Sequence, residues 1–306
     1  MSEAVLVMAY GTPRRLEDVE SYYTHIRRGS PPPARLLEEL LGRYRAVHGP
    51  TRLNRITREQ AAALGAALAA RGHAVPVAVG FKHVSPFVGE AVRELAKGGV
   101  ARVVGLVLAP HYSTRSIAEY ERYAREAAPA GLELDMIASW HDHPGLIAFL
   151  AGRLRAARAR AGGDPHVLFT AHSIPARALE GGDPYPGQLR ETGELVARAA
   201  GVTRWSFAYQ SAGRTAEPWL GPDVLDALTE LAGRGETCVV VQPIGFVADH
   251  LEILYDLDVE ARAAADRHGL RFVRVEMPNA DPEFVDALAD LVARRLAAPA
   301  EGMPAP

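Results

Sequence analysis

The stretch Gly245–Glu260, GFVADHLEILYDLDVE, holds the residues best suited to bind a cation. A helix that begins near Asp249 would set Glu252, Asp256 and Glu260 at i, i+4 and i+8, as a column of carboxylates on one face. No Lys or Arg occurs among residues 245–260, and like charges at this spacing destabilise an isolated helix by roughly 0.2–0.5 kcal/mol per pair. A divalent metal ion would offset that repulsion. The pattern therefore indicates either a metal site or a solvated acidic face.

A histidine at the end of a predicted strand could complete such a site. His172 follows a strongly β-patterned run and precedes Ser-Ile-Pro, which ends the strand. Alone, it would be interpreted as a hydrogen-bonded structural residue. Paired with Glu252, it offers an imidazole and a carboxylate, which suit a borderline divalent metal such as Fe²⁺. The same pair could act as a general acid and base near neutral pH, and the sequence leaves both roles open.

Aromatic and basic residues near the N-terminus suggest a flat, acidic ligand. Tyr10 stands at a strand end in Ala-Tyr-Gly-Thr-Pro, where Gly11 and Pro13 shape a turn that could present the phenol outward. The segments 22–28 (YYTHIRR) and 42–45 (GRYR) add arginines, which bind carboxylates, and tyrosines, which stack on apolar rings. Together they favour a planar, carboxylate-bearing ligand. The alternatives are a core-edge tyrosine and solvated arginines on helix faces.

Several classes of protein are excluded or disfavoured. The net charge of −3, without a Lys/Arg block of five or more, gives no reason to expect nucleic acid as a partner. The single cysteine, Cys238, excludes an internal disulfide and a four-cysteine iron–sulfur or zinc site. No GxGxxG, GxxxxGKS/T or GxSxG motif occurs, so neither a nucleotide-binding loop nor an α/β-hydrolase is supported. His141 and His143 have a metal-like spacing but no matching ligand nearby, and we expect surface or loop residues.

The composition is that of a globular protein outside the membrane. Of 306 residues, 48% are hydrophobic and 23% charged. No apolar stretch approaches the roughly 18 residues of a membrane span. MSEAVLVMAYG lacks the basic region of a signal peptide. We therefore expect a cytoplasmic protein.

Short apolar runs alternate with longer amphipathic ones, which is typical of parallel sheets with helices on both faces. Strands are predicted at Ala4–Met8, Val75–Val79, Arg102–Leu108, Leu134–Ile137, His166–Thr170, Arg204–Ala208, Thr237–Val241 and Arg271–Val275. Helices are predicted at Leu16–Ile26, Ala34–Val47, Thr57–Ala70, Phe87–Leu95, Ser116–Ala127, Pro144–Arg160, Gln188–Arg198, Pro222–Leu231, Leu251–His268 and Pro282–Leu296. Residues 297–306, rich in Ala and Pro, are expected to fray.

The two halves of the chain resemble one another. Residues 5–13 (VLVMAYGTP) match residues 167–175 (VLFTAHSIP), and Val107-Leu-Ala-Pro110 matches Val241-Gln-Pro243. This similarity favours two α/β domains related by internal duplication over a chance likeness of turns. Because ligands of parallel sheets bind beyond the carboxyl ends of the strands, we expect a cleft between the domains.

Across nearly the whole chain, the sequence resembles the ferrochelatase family, and within it the coproporphyrin ferrochelatases of bacteria. The resemblance extends from Val5 to about Leu296 and depends on a set of motifs in one order. They are LVMAYGTP (6–13), YYTHIRRG (22–29), LAPHYS (108–113), AHSIP (171–175), GDPYPGQL (182–189), PWLGPDV (218–224), GFVADHLEILYD (245–256) and EMPNA (276–280).

The resemblance implies two Rossmann-like domains with four-stranded parallel sheets and a porphyrin in the cleft between them. Residues 1–110 and 277–306, with the C-terminal helix at about 282–296, would form the first domain, and 111–276 the second. His172 and Glu252 would take Fe²⁺ and accept pyrrole protons, and Tyr10 would ligate the product iron. Contacts to the porphyrin and its propionates are implied for Arg27, Arg43, Tyr44, Thr51 and Tyr120. Asp256 and Glu260 would form an outer metal site or lead iron inward.

The function implied is insertion of Fe²⁺ into coproporphyrin III in haem biosynthesis. Fe²⁺ is then a substrate, no organic cofactor or 2Fe–2S cluster is expected, and Mg²⁺ is a candidate for the outer site. A monomer is expected, with transient contacts to neighbouring enzymes of haem synthesis. The alternatives are a protoporphyrin IX ferrochelatase, a sirohydrochlorin-type cobalt or nickel chelatase, a non-catalytic porphyrin carrier and a plain metal-binding α/β protein.

Overall fold

The computed structural model describes residues 2–213 and 215–298. It contains a β-strand at each predicted position, with bounds that differ by a few residues. The strands are β1 Glu3–Ala9, β2 Val77–Phe81, β3 Arg102–Val107, β4 Glu133–Ile137, β5 His166–His172, β6 Trp205–Gln210, β7 Cys238–Pro243 and β8 Arg271–Arg274. Most of the strands are rich in apolar residues, which suit their buried, pleated surroundings, and β1, β2, β3 and β7 contain at least two Val each.

Helices occur between the strands as predicted. They are α1 Val19–Ile26 (after a 3₁₀ turn, Leu16–Asp18), α2 Ala34–Ala46, α3 Leu53–Ala70, α4 Val88–Lys97, α5 Ile117–Ala127, α6 Pro144–Ala161, α7 Tyr185–Ala200, α8 Val224–Gly233, α9 Arg262–Arg267 and α10 Pro282–Ala297. A second 3₁₀ turn spans Ala176–Gly181. The predicted helix Leu251–His268 differs in kind, because residues Glu252–Ala261 form a π-helix that continues into α9.

The strands form two four-stranded sheets with the same topology. The order is β2-β1-β3-β4 in the first sheet and β6-β5-β7-β8 in the second, and every pairing is parallel. The prediction of two similar α/β halves is thus confirmed. β1 and β5, which carry the repeated sequence, occupy equivalent positions.

The first sheet extends further along the chain than expected. β4 pairs with β3, with Leu106 opposite Ile137, so the segment 111–137 belongs to the first half. The predicted boundary after residue 110 is therefore wrong, because β4 needs β3 as its hydrogen-bonding neighbour. The C-terminal helix α10 packs on α3 of the first half and also on α6. Of the expected frayed tail, residues 299–306 lie outside the described residues.

One hydrophobic core runs through both halves. Alternate residues of β1, such as Val5 and Val7, pack in the same cluster as Val167 and Phe169 of β5. The opposite faces form two outer clusters, which contain Leu6 in the first half and Leu168 in the second. Because side chains alternate along a strand, both sheets are covered on two sides. The shared cluster fixes the two sheets relative to each other.

Candidate active site between the two sheets

A cavity of about 360 Å³ lies beyond the carboxyl ends of strands from both sheets. The first half contributes Tyr10 after β1, Lys82 after β2 and His111 after β3. The second half contributes His172 at the end of β5, and residues 245–248, His250 and Glu252 after β7. This is the position at which open parallel sheets bind ligands.

A close approach of the segment after β7 to the end of β5 brings His172 and Glu252 together. Gly245 follows β7 and lies against the end of β5, where an added Cβ would be 2.6 Å from the Cβ of Ala171. A larger residue would push the segments apart, so glycine is needed here. The Ile244 amide donates to the Thr170 carbonyl (2.9 Å). As a result, His172 Nε2 lies 3.4 Å from Glu252 Oε1, and about a third of each side chain is exposed.

His250 is a third member of this cluster, which we define as His172, Glu252 and His250. Its Nε2 lies 3.5 Å from Glu252 Oε2, and its Nδ1 donates to the Ala248 carbonyl (2.9 Å). The Nδ1 of His172 likewise donates to the Ser173 carbonyl. A carbonyl only accepts, so both rings hold a proton on Nδ1 and turn Nε2 toward one carboxylate.

The charges of the cluster depend on one another. Burial would lower the pKa of His172, but the charge of Glu252, a hydrogen bond to it and the Ser173 carbonyl together raise that pKa to about 9. Burial would raise the pKa of Glu252, but His172 and then His250 hold it well below its usual range. At neutral pH, His172 and Glu252 therefore form an imidazolium–carboxylate pair. A metal ion that binds His172 has to displace a proton.

Tyr10 and Tyr120 also line the cavity. Tyr10 is 41% exposed, and its ring lies 4.4 Å from the His83 ring. The surrounding protein, followed by the charge of Glu252, raises the pKa of Tyr10 well above its usual value, so the phenol is neutral. Tyr120 is 4% exposed, and Lys82 Nζ lies 5.4 Å from the centre of its ring.

The other predicted porphyrin contacts are not among the residues that line the cavity. Arg27 donates from Nε to the Ser30 carbonyl (3.3 Å). The Tyr44 hydroxyl lies 3.2 Å from the Thr12 hydroxyl, and the Thr51 hydroxyl lies 3.5 Å from the same atom. Tyr44 and Thr51 therefore support the turn that follows Tyr10.

Arg43 joins the two halves of the molecule. Its Nη1 lies 3.2 Å from Asp256 Oδ1, and its guanidinium lies 5.1 Å from the centre of the Tyr255 ring. Asp256 also accepts a hydrogen bond from the Ser211 hydroxyl. The Asp256 side chain is only 6% exposed. Burial and then the charge of Glu252 raise its pKa to about 6, despite Ser211 and Arg43.

The column of carboxylates is thus divided by its surroundings. Glu252 lines the cavity, Asp256 is buried against Arg43, and Glu260 is partly exposed. A fully solvated acidic face is excluded by the burial of Asp256. Within residues 2–213 and 215–298, no group of three or more His, Cys, Asp and Glu side chains could hold a metal ion. His172 and Glu252 instead offer an open pair of donors.

The histidines of Trp140-His-Asp-His143 are engaged in packing. His141 lies in a turn, as predicted for a loop residue, but it is not at the surface, because it is 8% exposed and its Nε2 lies 2.9 Å from Glu191. His143 is the residue before α6, and its Nε2 lies 3.1 Å from Asp290 of α10. Both join segments that are distant in sequence, which their local pattern could not reveal.

No helix in the described part of the chain is long and apolar enough to cross a membrane.

Comparisons with known proteins identify the family to which the chain is similar. The family model described as Ferrochelatase matches residues 2–296. The coproporphyrin III ferrochelatase of Geobacillus kaustophilus is 45% identical over 302 residues, which cover 96% of both chains. The ferrochelatase of Thermus thermophilus is 46% identical over 310 residues, with 94% of this chain and 98% of the relative covered.

Solved structures show the same fold at low sequence identity. SirB from Bacillus subtilis with Fe3+ has a TM-score of 0.62 and 13% identity, over 99% of this chain and 98% of that chain. CbiX, described as the terminal enzyme for biosynthesis of siroheme in denitrifying bacteria, has a TM-score of 0.55 and 14% identity, over 97% of this chain and all of that chain. From the family match and the identities to curated relatives, we conclude that the chain belongs to the ferrochelatase family.

Proposed function

We propose that this chain inserts Fe²⁺ into coproporphyrin III, releasing two protons and forming iron coproporphyrin for haem synthesis. The observation that carries the proposal is the cluster of His172, Glu252 and His250 beside Tyr10, in a cavity that both sheets line. The identity of about 45% to proteins named coproporphyrin III ferrochelatase supports this choice of porphyrin.

In the proposed reaction, His172 and Glu252 receive Fe²⁺ and then accept protons. Fe²⁺ enters as a divalent ion and leaves bound to the porphyrin dianion, so the two pyrrole protons must be taken up. The carboxylate of Glu252 can accept one. The Nε2 atoms of His172 and His250 face that carboxylate, and His172 can accept the other proton once the metal has left it. Tyr10, a neutral phenol in the cavity, would contact the product iron through its hydroxyl oxygen.

The remaining predicted residues are given supporting roles in the proposal. Tyr120 would contact the porphyrin from the cavity wall, Tyr44 and Thr51 would act through the turn that follows Tyr10, and Arg27 would have to leave the Ser30 carbonyl to bind a propionate. Arg43 would have to exchange Asp256 for a propionate. Asp256 and Glu260 would hold an outer metal ion such as Mg²⁺ or guide iron inward.

The proposal includes a single-chain enzyme in the cytoplasm. One chain supplies both walls of the cavity, so the site does not require a second copy. The cytoplasmic location, the absence of an organic cofactor and the transient contacts with neighbouring pathway enzymes stay predictions from the sequence.

Anaerobic Fe²⁺ insertion, followed by absorbance, tests the proposed function. We expect turnover with coproporphyrin III to exceed turnover with protoporphyrin IX and sirohydrochlorin. Preference for sirohydrochlorin would favour the cobalt or nickel chelatase, and binding without turnover would favour a porphyrin carrier.

The His172→Ala variant tests whether iron insertion depends on the cluster. We expect it to lose iron insertion by at least about 100-fold, the scale of a lost acid–base group, while circular dichroism shows the native fold. His143→Gln, a change remote from the cavity, is the matched control. Near-normal turnover by His172→Ala would contradict the assignment.

A further inference from the structure

An arginine that has no role so far lies at the rim of the cavity. Arg115 lines the cavity and is exposed. Its backbone amide donates to the Ser113 hydroxyl (3.1 Å), but its guanidinium has no hydrogen bond or ion pair with any described residue. It is the one guanidinium among the described residues that line this cavity. A charged group left without a partner beside a ligand cavity is available to the ligand.

The backbone that carries Arg115 is fixed by a buried carboxylate. Asp183, which is 6% exposed, accepts from the Ser113 hydroxyl (2.9 Å), the Thr114 amide (2.8 Å) and the Thr114 hydroxyl (2.7 Å). Its other oxygen accepts from the Tyr185 amide (3.0 Å). Arg115 therefore projects from an anchored loop, and the backbone loses little freedom when the side chain binds.

The other non-histidine cation of the lining is already neutralised. Lys82 Nζ lies 2.5 Å from Glu119 Oε2, and the Lys82 side chain is 7% exposed. For a negatively charged ligand in the cavity, the Lys82 ammonium is thus already paired with Glu119, whereas the Arg115 guanidinium has no ion pair with any described residue. A guanidinium also matches the planar geometry of a carboxylate and can bind it through two parallel hydrogen bonds.

We propose that Arg115 binds a propionate of coproporphyrin III that protoporphyrin IX lacks, and so contributes to the choice between porphyrins. This inference rests on the proposed function. Coproporphyrin III has four propionates, whereas protoporphyrin IX has two propionates and two vinyl groups. With a vinyl group in place of that propionate, Arg115 stays hydrated and adds nothing to the binding free energy of the porphyrin.

Equilibrium binding of metal-free porphyrins, measured by quenching of porphyrin fluorescence, tests the inference without turnover. We expect Arg115→Gln to raise the Kd of coproporphyrin III about tenfold, the effect of one hydrogen bond to a charged group. The Kd of protoporphyrin IX should change by less than about twofold. Arg115→Lys, which keeps the charge but not the fork, should fall between wild type and Arg115→Gln.

Two controls separate a direct contact from a structural effect. Arg93→Gln, on the exposed face of α4, also removes a guanidinium but should change neither Kd. Ionic strength gives the second control, because the Debye length falls from about 10 Å at 0.1 M to about 3 Å at 1 M. The coproporphyrin III affinity of wild type should weaken with salt more steeply than that of Arg115→Gln.

Equal losses for both porphyrins, or no loss for either, would overturn the inference about Arg115. Failure of the proposed function has a different signature. In that case, wild type would not insert Fe²⁺ into coproporphyrin III, whatever the binding constants of the Arg115 variants.

Discussion

At the scale of single residues, His172 and Glu252 form an ion pair whose proton a metal ion, bound as proposed, would have to replace. Glu252 stabilises the imidazolium of His172, so the pKa of His172 rises to about 9, from an ordinary value of 6.5. The ion pair stabilises the folded protein fully below that ordinary value and is lost as pH rises through about 9. A divalent cation bound at His172, as proposed, would compete with the proton for the same imidazole nitrogen.

Metal binding should therefore become tighter as pH rises toward 9. While His172 is protonated, each metal ion bound there releases one proton, so the apparent affinity should rise by up to about tenfold per pH unit. We expect calorimetry with Co²⁺, an air-stable substitute for Fe²⁺, to show this slope in wild type. His143→Gln should keep it.

His172→Ala should flatten the slope and weaken binding. A wild-type affinity that stays constant between neutral pH and pH 9 would contradict metal binding at His172.

The sequence could predict those cavity residues that follow strand ends, but not the residues that lie beside them. His172, Glu252 and Tyr10 stand just beyond β-patterned or strand-like runs, and all three line the cavity. His250 lies in the same Asp-His-Leu-Glu segment as Glu252 and was missed, because nothing in its spacing distinguishes it from a structural histidine. Arg115 was missed because a lone arginine in a Ser/Thr loop usually contacts only water.

At the scale of elements, the π-helix Glu252–Ala261 determines which carboxylates reach which surroundings. π-Helical segments are rare in proteins, and those that occur often lie at functional sites. Here the segment exposes Glu252 to the cavity and buries Asp256 against Arg43 of α2. The sequence predicted a helix from its periodicity but not its hydrogen-bonding pattern. Arg43 and Asp256 are 213 positions apart, so local pattern could not predict their contact either.

The Arg43–Asp256 pair should show itself in the pH dependence of stability. The pKa of Asp256 is raised to about 6, so the folded state gains stability as pH falls through 6 toward the ordinary value of 3.8. Arg43→Gln leaves a buried carboxylate without its cation. We expect the free energy of unfolding to fall by about 1–3 kcal/mol at pH 8 and by less at pH 5, measured by urea denaturation.

A second substitution tests whether Asp256 causes this effect. Asp256→Asn removes the charge, so Arg43→Gln should cost little in that background at either pH. If Arg43→Gln costs as much in the Asp256→Asn background as in wild type, Arg43 acts through other contacts, such as its packing on Tyr255.

At the scale of the whole molecule, polar contacts between the halves define the shape of the cavity. Gln60 of α3 donates to the carbonyls of Val247 (3.2 Å) and Asn279 (2.7 Å). Asp183, from the second half, fixes the loop that begins α5 in the first half. The walls of the cavity are therefore held by hydrogen bonds as well as by the core.

Removing the Asp183 carboxylate should destabilise the protein markedly. Asp183→Ala leaves donors of Ser113, Thr114 and Tyr185 without a partner, and we expect a loss of about 3 kcal/mol in the free energy of unfolding. Asp286→Ala is the control, because this side chain is 70% exposed and its pair with Arg71 should contribute less than about 1 kcal/mol. If urea denaturation shows that Asp183→Ala loses no more stability than Asp286→Ala, the buried contacts of Asp183 do not stabilise the fold.

The repeat within the sequence predicted the two halves but not where one ends. The similarity of residues 5–13 and 167–175 indicated equivalent strands, and the two sheets have the same strand order. β4 contains two acidic residues, Glu133 and Asp135, among apolar ones. Both carboxylates are accommodated because they pair with Arg102 of β3. The pairing of β4 with β3 thus assigns residues 133–137 to the first sheet. The local sequence pattern of these residues cannot predict that pairing.

The core shared by the two sheets has a consequence for how the protein unfolds. Val5 of β1 and Phe169 of β5 belong to one cluster, so exposing either half to water also uncovers the inner face of the other. The repeated halves are then a single cooperative unit in thermodynamic terms, although their topology suggests two. In hydrogen exchange, the slowest amides should occur in β1 and β5 together and report one common opening free energy.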